Sequence, residues 1–193
     1  MFKNSLRLTG IKYIDEGIFI ALSFLSLIYL GGIRFDITEG LPITLQSLLV
    51  VWFALVFGTR VGITAVILYL IVGGLGLGVF SGGASGWQHF LGSTGGFLIA
   101  FPIGAFISGS AAEWASKKSS LMKKAFIISA LILFTSQTAI LLLGLVWQNA
   151  LTLSPINLGS ALNIFMPGLL IKTALGTLAF VVLGRTLSRT SIV

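Results

Sequence analysis

The chain contains apolar runs long enough to cross a lipid bilayer, and they leave little sequence between them. A helix needs about 20 apolar residues to span the hydrocarbon core, with a range of about 17–25. The runs that meet or approach this length are 17–33, 42–58, 62–80, 94–114, 125–147 and 167–187. Helices satisfy their own backbone groups where lipid offers no partner. The sequence therefore predicts an all-α integral membrane protein with six transmembrane helices, folded as one domain over residues 1–193.

The low charge content supports this class. Only 9% of the residues are charged, against about a quarter in soluble domains. The net charge of +7 is compatible with nucleic-acid binding, but the basic residues lie at the edges of the apolar runs, where anionic lipid headgroups attract them. We expect membrane lipid as a partner and no nucleic acid. The sequence has no cysteine, which excludes disulfides and thiolate metal sites.

The distribution of basic residues predicts an orientation. Of the 12 Lys and Arg residues, all but Arg34 and Lys172 fall in segments that a cytoplasmic N-terminus places inside. Cytoplasmic loops of membrane proteins carry this excess. We therefore predict that both termini are cytoplasmic, that residues 1–15 form a cytoplasmic N-terminal segment, and that 81–93 is an external Gly/Ser-rich loop.

This orientation collects uncharged polar residues and glycines on the external side. Thr44 and Gln46 fall in the first turn of the second span, and the glycine-rich stretch 73–96 runs from the third span into the fourth. Glycine lets the backbone approach a ligand closely, but small residues also favour tight helix packing in membranes. The pattern predicts a polar, glycine-lined region in the outer half of the bundle and leaves packing open as the alternative.

Lys172 is the sharpest functional signal, because an intramembrane lysine costs about 2.5–3.5 kcal/mol on insertion scales. The acidic residues of the chain map to span ends or loops, so we expect Lys172 to bind an anionic ligand such as a carboxylate. The alternative is that Lys172, about one turn below the predicted helix start at Pro167, extends its ammonium to the headgroups.

The sequence lacks the common signatures of enzymes and metal sites. It has no Walker A motif, no HExxH and no G-x-S-x-G, and His89 stands alone without the neighbours that a metal site needs. We therefore predict that the protein is not an enzyme, has no metal and carries no cofactor. The absence of acidic proton-relay residues within the spans favours ATP hydrolysis by a separate chain as the energy source.

The motifs resemble those of the BioY family, the biotin-specific S components of energy-coupling factor (ECF) transporters. The resemblance runs in order through residues 17–187. It is carried by PITLQ at 42–46, Tyr69, GGLGLGVF at 73–80, GSTGGFL at 92–98 and PGLLIK at 167–172.

The resemblance implies an S-component bundle in a bacterial cell membrane that captures biotin from outside. It also implies docking onto a transmembrane coupling protein that carries two ABC-type ATPases. Gly17 and Ala21, a small-xxx-small pair, are the candidates for that docking, with packing inside the protein as the alternative. The candidate substrate-binding residues are Lys172, Gly82, Gly83, Ser85, Gly86, Gln46, Thr44, Tyr69, Phe97 and Leu169.

The chain departs from the family pattern at several positions. Leu169 stands where the last-helix motif has an aspartate that helps to bind substrate, and Phe97 replaces a tyrosine. Without that aspartate an acceptor for the ureido N–H groups of biotin is missing. Two further hypotheses therefore stay open: a related transporter subunit for another small carboxylated molecule, and a membrane scaffold protein without a ligand.

Overall fold

A computed structural model describes residues 8–35, 43–118, 124–151 and 158–190, and within these ranges the chain is almost entirely helical. Two short strands, β1 (Arg34–Phe35) and β2 (Ile43–Thr44), pair antiparallel. A single 3₁₀ turn covers Ser81–Gly83. The helices are α1 (Lys12–Leu30), α2 (Gln46–Phe57), α3 (Thr59–Gly74), α4 (Gln88–Leu91), α5 (Gly95–Ser116), α6 (Ala125–Leu151) and α7 (Leu158–Thr190).

Helix α2 lies at the centre of the bundle. It is apolar on all sides, which is typical of a helix surrounded by protein, and nine of its twelve residues are buried. It contacts α1, α3, α5, α6 and α7. Gly58 alone separates α2 from α3, and its φ of 95° lies in the left-handed region that glycine tolerates and other residues resist. This residue turns the chain back so that α3 packs beside α2.

Four helices, α1, α5, α6 and α7, are long and apolar enough to cross a membrane. Helices α2 and α3 are apolar but shorter, at 12 and 16 residues, which correspond to about 18 and 24 Å of helix. Both lengths are below the roughly 30 Å of a typical hydrocarbon core. The predicted all-helical membrane class therefore agrees with the structure, whereas the count of six spans and the cytoplasmic position of the termini stay predictions.

Several helix ends differ from the predicted spans. Helix α7 begins at Leu158 rather than at Pro167, which lies inside the helix. Proline lacks the N–H for one intrahelical bond, but such prolines occur within membrane helices. Helix α3 ends at Gly74, six residues before the predicted end of the third span, because the glycines that follow leave the helix: Gly76 has a φ of 111°.

Some predictions fall outside the described residues. These are the state of residues 1–7, Pro42 as the start of the second span and of the first family motif, and the positions of Lys3, Arg7 and Lys123 in the orientation argument.

Several glycines within the helices serve close packing. A Cβ on Gly62 in α3 would lie 2.5 Å from the Cβ of Ala54 in α2, and one on Gly109 in α5 would lie 2.5 Å from the Cα of Thr59. In the same region the Ser108 hydroxyl donates to the carbonyl of Val51 at 2.7 Å. These contacts hold α2, α3 and α5 against one another, which is the packing use of glycine that the sequence left open.

Polar contacts at the start of α3 join it to two neighbouring helices. The Glu113 carboxylate in α5 accepts a hydrogen bond from the Thr59 backbone N–H at 2.9 Å, one of the helix-start donors without an intrahelical partner. Arg60 lies 3.7 Å from the Glu16 carboxylate of α1. Asp15 and Glu16 are both buried in the first two turns of α1, so acidic residues that the sequence placed at a span boundary are part of the packed bundle.

We predict that Gly62→Ala destabilises the protein. The added methyl overlaps Ala54, and overpacking costs about 1–3 kcal/mol, more than the gain of up to about 1 kcal/mol in helix propensity. The thermal unfolding midpoint in detergent should therefore fall. Gly17→Ala in α1 is the matched control, because no atom lies within 4 Å of the added methyl, and its midpoint should stay equal or rise. An unchanged midpoint for Gly62→Ala would contradict this packing.

Candidate functional site

A cavity of about 470 Å³ lies between α2, α5, α6 and α7, closed on one side by the segment 80–94. Its volume falls within the range of about 300–1,000 Å³ that is typical of small-molecule sites. The lining residues are Thr44, Gln46, Ser47, Phe80, Ser81, Ala84, His89, Ser93, Thr94, Phe97, Leu98, Phe101, Gln137, Ile140, Leu141, Gln148, Ile164, Phe165, Gly168, Leu169 and Lys172.

Among the described residues, Lys172 contributes the only charged side chain of this lining. Because α7 begins at Leu158, Lys172 lies 14 residues into the helix rather than five, which is about 21 Å along the axis. Its half-buried ammonium donates to the hydroxyl of Ser47 in α2 at 2.8 Å. The group is therefore directed into the cavity, and the structure does not support the alternative in which it reaches the headgroups.

A chain of buried hydrogen bonds fixes the start of α2 beside the cavity. Gln46 Nε2 donates to the Tyr69 hydroxyl at 2.5 Å, and that hydroxyl donates to the carbonyl of Val79 at 2.8 Å. Tyr69 is fully buried in α3. This chain ties three segments together, so Tyr69 supports the cavity wall from behind and does not line it.

Gln137 lies on the α6 wall of the cavity and bonds to Thr173, the residue that follows Lys172. The residue is only 2% exposed, and its Nε2 donates to the carbonyl of Leu133 and to the hydroxyl of Thr173, both at 3.3 Å. Its Oε1 is buried and has no hydrogen-bond partner among the described residues. Lys172, Ser47 and Gln137 together form what we call the inner polar zone.

Other polar residues line the cavity at a distance from this zone. Gln148 stands 11 residues after Gln137 on α6, which corresponds to about 16 Å along the helix. Ser93 and Thr94 also line the cavity, just before α5. We call these three residues, Gln148, Ser93 and Thr94, the outer polar zone.

Most of the remaining wall is aromatic or aliphatic: Phe80, Ala84, Phe97, Leu98, Phe101, Ile140, Leu141, Ile164, Phe165 and Leu169. Thr44, Gln46, Ser81 and His89 add further polar side chains. The site is therefore a largely apolar chamber with several polar residues in its wall.

The segment between α3 and α5 closes the cavity through a few of its residues. Ser81, Ala84 and His89 line it. Gly82, Gly83 and Gly86 do not, but their φ values of 72°, 79° and 100° let the segment fold back on itself. Ser85 also lies outside the lining, and its carbonyl accepts a hydrogen bond from the Gln88 side chain at 2.8 Å.

Tryptophans hold this segment in place at both ends. The Trp87 ring covers Gly74 at the end of α3, where an added Cβ would lie 2.9 Å from the ring. At the other end, Trp147 Nε1 donates to the carbonyl of Gly92 at 3.0 Å, and the same tryptophan packs on Gly96. Trp147 thus connects α6 to the start of α5 beside the outer polar zone.

The structure brings half of the predicted site residues into the cavity wall: Lys172, Gln46, Thr44, Phe97 and Leu169. It places Gly82, Gly83, Ser85, Gly86 and Tyr69 around the wall instead. Their contact with substrate was an implication of the family resemblance, and in this chain they shape or support the wall. Whether any of the ten binds a ligand stays a prediction.

Ser47, Gln137 and Gln148 are among the polar residues of the wall that sequence reasoning missed. Gln137 carried a usable signal, because an amide in the middle of an apolar span is costly unless it is paired or functional. Ser47 follows Gln46 directly in the sequence. His89, which was considered from the sequence only as a possible metal ligand, also lines the cavity. Within the described ranges there is no group of three or more His, Asp or Glu residues that could hold a metal ion.

Gly17 and Ala21 lie on the outer face of α1. Both are exposed, and no atom lies within 4 Å of a Cβ added at Gly17. Large apolar side chains on the same face are also exposed, among them Ile14, Ile18 and Leu22. The pair is therefore available to lipid or to another membrane protein, and packing within the described part of the protein is not its role.

Comparison with known proteins assigns the family. The model of the BioY family matches residues 4–190, nearly the whole chain. The chain belongs to the BioY family. It is thus a multi-pass membrane protein, in agreement with its apolar helices.

Individual BioY relatives are moderately similar. Biotin transporter BioY2 of Lactococcus lactis subsp. cremoris is 33% identical over 153 residues, which cover 78% of this chain and 80% of the relative. The probable biotin transporter BioY of Pyrococcus horikoshii is 43% identical over 79 residues, or 40% of this chain and 49% of the relative. Biotin transporter BioY of Rhizobium etli is 41% identical over 96 residues, or 50% and 48%. The chain spans about half the length of the last two.

The fold is that of a solved transporter S-component. The crystal structure of the S-component for biotin from an ECF-type ABC transporter superposes with a TM-score of 0.74, covering 90% of this chain and 92% of the other. The sequence identity is 24%, so the likeness shows a shared fold. The predicted S-component-like bundle is confirmed at this level.

We predict that Tyr69→Phe destabilises the bundle. The change removes a hydroxyl that accepts from Gln46 and donates to Val79, and it leaves buried polar groups unpaired, which costs about 1–3 kcal/mol. Denaturant or thermal unfolding in detergent should show the loss. Tyr29→Phe is the control, because Tyr29 is 74% exposed. Equal stability of the two variants would show that the buried chain of hydrogen bonds does not hold the start of α2.

Proposed function

We propose that this protein is the membrane-embedded substrate-binding subunit of a biotin uptake system, a transport component and not an enzyme. The observation that carries the proposal is the cavity of about 470 Å³ with Lys172 and Gln137 in its inner polar zone and Gln148 in its outer one. Membership of the BioY family supports the substrate, because the relatives described above are named as biotin transporters.

The chemistry of biotin matches the cavity. Biotin carries a cyclic urea at one end and a carboxylate at the other, and an apolar ring and chain lie between them. The cavity has polar zones about 16 Å apart along α6 and an apolar middle built by residues such as Phe97, Ile140 and Phe165. Lys172 supplies N–H donors for a ligand oxygen.

Capture from the external face fits the placement of the cavity. The cavity lies at the end of the bundle where α2 begins and the segment 80–94 folds over, and the distribution of basic residues predicts that this end is external. The opposite end holds the Glu113–Thr59 and Arg60–Glu16 contacts.

A related subunit for another carboxylated molecule is the second candidate. Leu169 favours it, since this buried leucine gives the cavity wall no hydrogen-bond acceptor at a position where the family pattern has an acid. A scaffold without a ligand is the third.

Thermal unfolding with biotin, and with other small carboxylates, separates the three candidates, because a ligand at 100 times its Kd adds about 2.7 kcal/mol of stability. A scaffold protein would show no shift with any of them.

We propose further that the α1 face around Gly17 and Ala21 docks onto an ECF transmembrane coupling protein, which works with two ABC-type ATPases. Small residues let two helices approach closely in a membrane. The face is apolar and exposed, and the shared fold with an S-component from an ECF-type transporter supports this arrangement.

Lys172→Met tests the assignment of the cavity. The variant should bind biotin about 10- to 100-fold more weakly, because a charged hydrogen-bond donor is worth about 1.5–3 kcal/mol. Stability should not fall, since removing an intramembrane charge is favourable. Isothermal titration measures the affinity of the purified wild-type and variant proteins for biotin. Lys117→Met is the control, because Lys117 is an exposed lysine after α5. Wild-type affinity in Lys172→Met would contradict the assignment.

Docking is tested with leucine at both small positions. The double variant Gly17→Leu, Ala21→Leu should lose most co-purification with the coupling protein while its Kd for biotin stays within about twofold, because the face lies on the outside of α1. Ala174→Leu, Ala179→Leu, at two exposed positions of α7, is the control and should keep the complex. Equal yields of complex from the two double variants would place the docking surface elsewhere.

A further inference from the structure

The inner polar zone contains an acceptor that the protein leaves unused. Gln137 Oε1 is buried, and no hydrogen-bond partner for it is found in the described part of the chain. Leaving such an atom unpaired is unfavourable, and the exceptions found in native structures call for an explanation. The same side chain lines the cavity, so the amide that carries this oxygen lies next to the space that a bound molecule would fill.

The orientation of the amide is fixed by its surroundings. Leu133 offers a backbone carbonyl, which only accepts, at 3.3 Å from Gln137 Nε2. The nitrogen therefore faces Leu133, and the oxygen remains as the open group. Thr173 accepts from the same nitrogen at 3.3 Å, which further holds the side chain in place.

The chemistry of the zone defines the group that fits it. Lys172 donates hydrogen bonds and Gln137 Oε1 accepts one, and no carboxylate lines the cavity among the described residues. A ligand carboxylate offers acceptors only, so it would serve Lys172 and leave Oε1 unpaired. A group with an oxygen next to an N–H serves both.

We propose that Gln137 is a specificity-determining residue whose Oε1 accepts a hydrogen bond from a ligand N–H, while Lys172 donates to an adjacent ligand oxygen. The proposal rests on the proposed function and deepens it: for biotin, the N–H belongs to the cyclic urea. Gln137 thus supplies, from α6, the acceptor that Leu169 on α7 does not provide.

The test combines a protein change with a ligand change. Gln137→Leu removes the acceptor at nearly constant volume, and methylation of one or the other urea nitrogen of biotin removes a donor. The Kd of biotin and of both N-methyl analogues is measured by isothermal titration with wild-type and variant protein. Gln137→Leu should bind biotin about 10- to 100-fold more weakly.

For one analogue, the loss of binding free energy from methylation and the loss from Gln137→Leu should be far from additive, because both changes remove the same hydrogen bond. Thr177→Val is the matched control. Thr177 carries a buried hydroxyl without a hydrogen-bond partner on α7, and it does not line the cavity. Its Kd values should stay within about twofold of those of the wild type.

Biotin affinity unchanged by Gln137→Leu, or additive losses with both analogues, would overturn the role of Gln137 while leaving biotin capture intact. Wild-type protein that does not bind biotin at all would instead overturn the proposed function, and this inference with it. If Gln137→Leu does not fold, the three Kd values of the wild-type protein are compared instead. Weaker binding of one N-methyl analogue supports the proposal, and equal binding of biotin and both analogues overturns it.

Discussion

A lysine ammonium inside an apolar helical bundle is the constraint on which the site depends. A charge at such depth is energetically costly. The hydrogen bond that Lys172 donates to Ser47 on the neighbouring helix offsets part of this cost. One turn further along, Trp52 Nε1 donates to the carbonyl of Gly176 at 3.0 Å. Both bonds join α2 to α7, from Ser47 to Lys172 and from Trp52 to Gly176. The central helix and the lysine-bearing helix are therefore fixed to each other beside the cavity.

The short central helix makes this arrangement possible. Because α2 is surrounded by protein, its length need not match the thickness of the bilayer. The helix can therefore begin inside the bundle, next to the cavity. The Gln46–Tyr69–Val79 hydrogen bonds satisfy the polar groups at that end. Glycines such as Gly62 and Gly109 let the surrounding helices approach closely enough to enclose it.

Much of the architecture follows from the sequence, because the length and apolar character of a membrane helix are local properties. The predicted start of α7 was wrong by nine residues, because Pro167 was interpreted as the first residue of a helix that in fact continues through it. The end of α3 was also misplaced, because the glycines after Gly74 are apolar enough to extend a hydrophobic run but leave the helix.

The site was only partly predictable for a different reason. Lys172 and Gln46 stand out by residue type and position, and both line the cavity. The roles of Tyr69 and Gln137 depend on which side of a helix faces which neighbour, and spacing within one span does not reveal that. Tyr69 came from the family resemblance and lies behind the wall. The unpaired acceptor of Gln137 becomes visible only in the structure, where Leu133 and Thr173 accept hydrogen bonds from the amide nitrogen and the oxygen is left without a partner among the described residues.

Selectivity in such a cavity has to come from its few polar groups. An extra methylene in an apolar pocket changes affinity by only about 1–3 kcal/mol, whereas a buried polar group left unpaired rejects an analogue much more strongly. The apolar middle, with Phe97, Ile140 and Leu169, therefore accepts many shapes of similar size. A leucine at 169 also adds no buried polar atom that needs a partner, so in the proposed binding mode discrimination between ligands depends on the donors of Lys172 and the acceptor of Gln137.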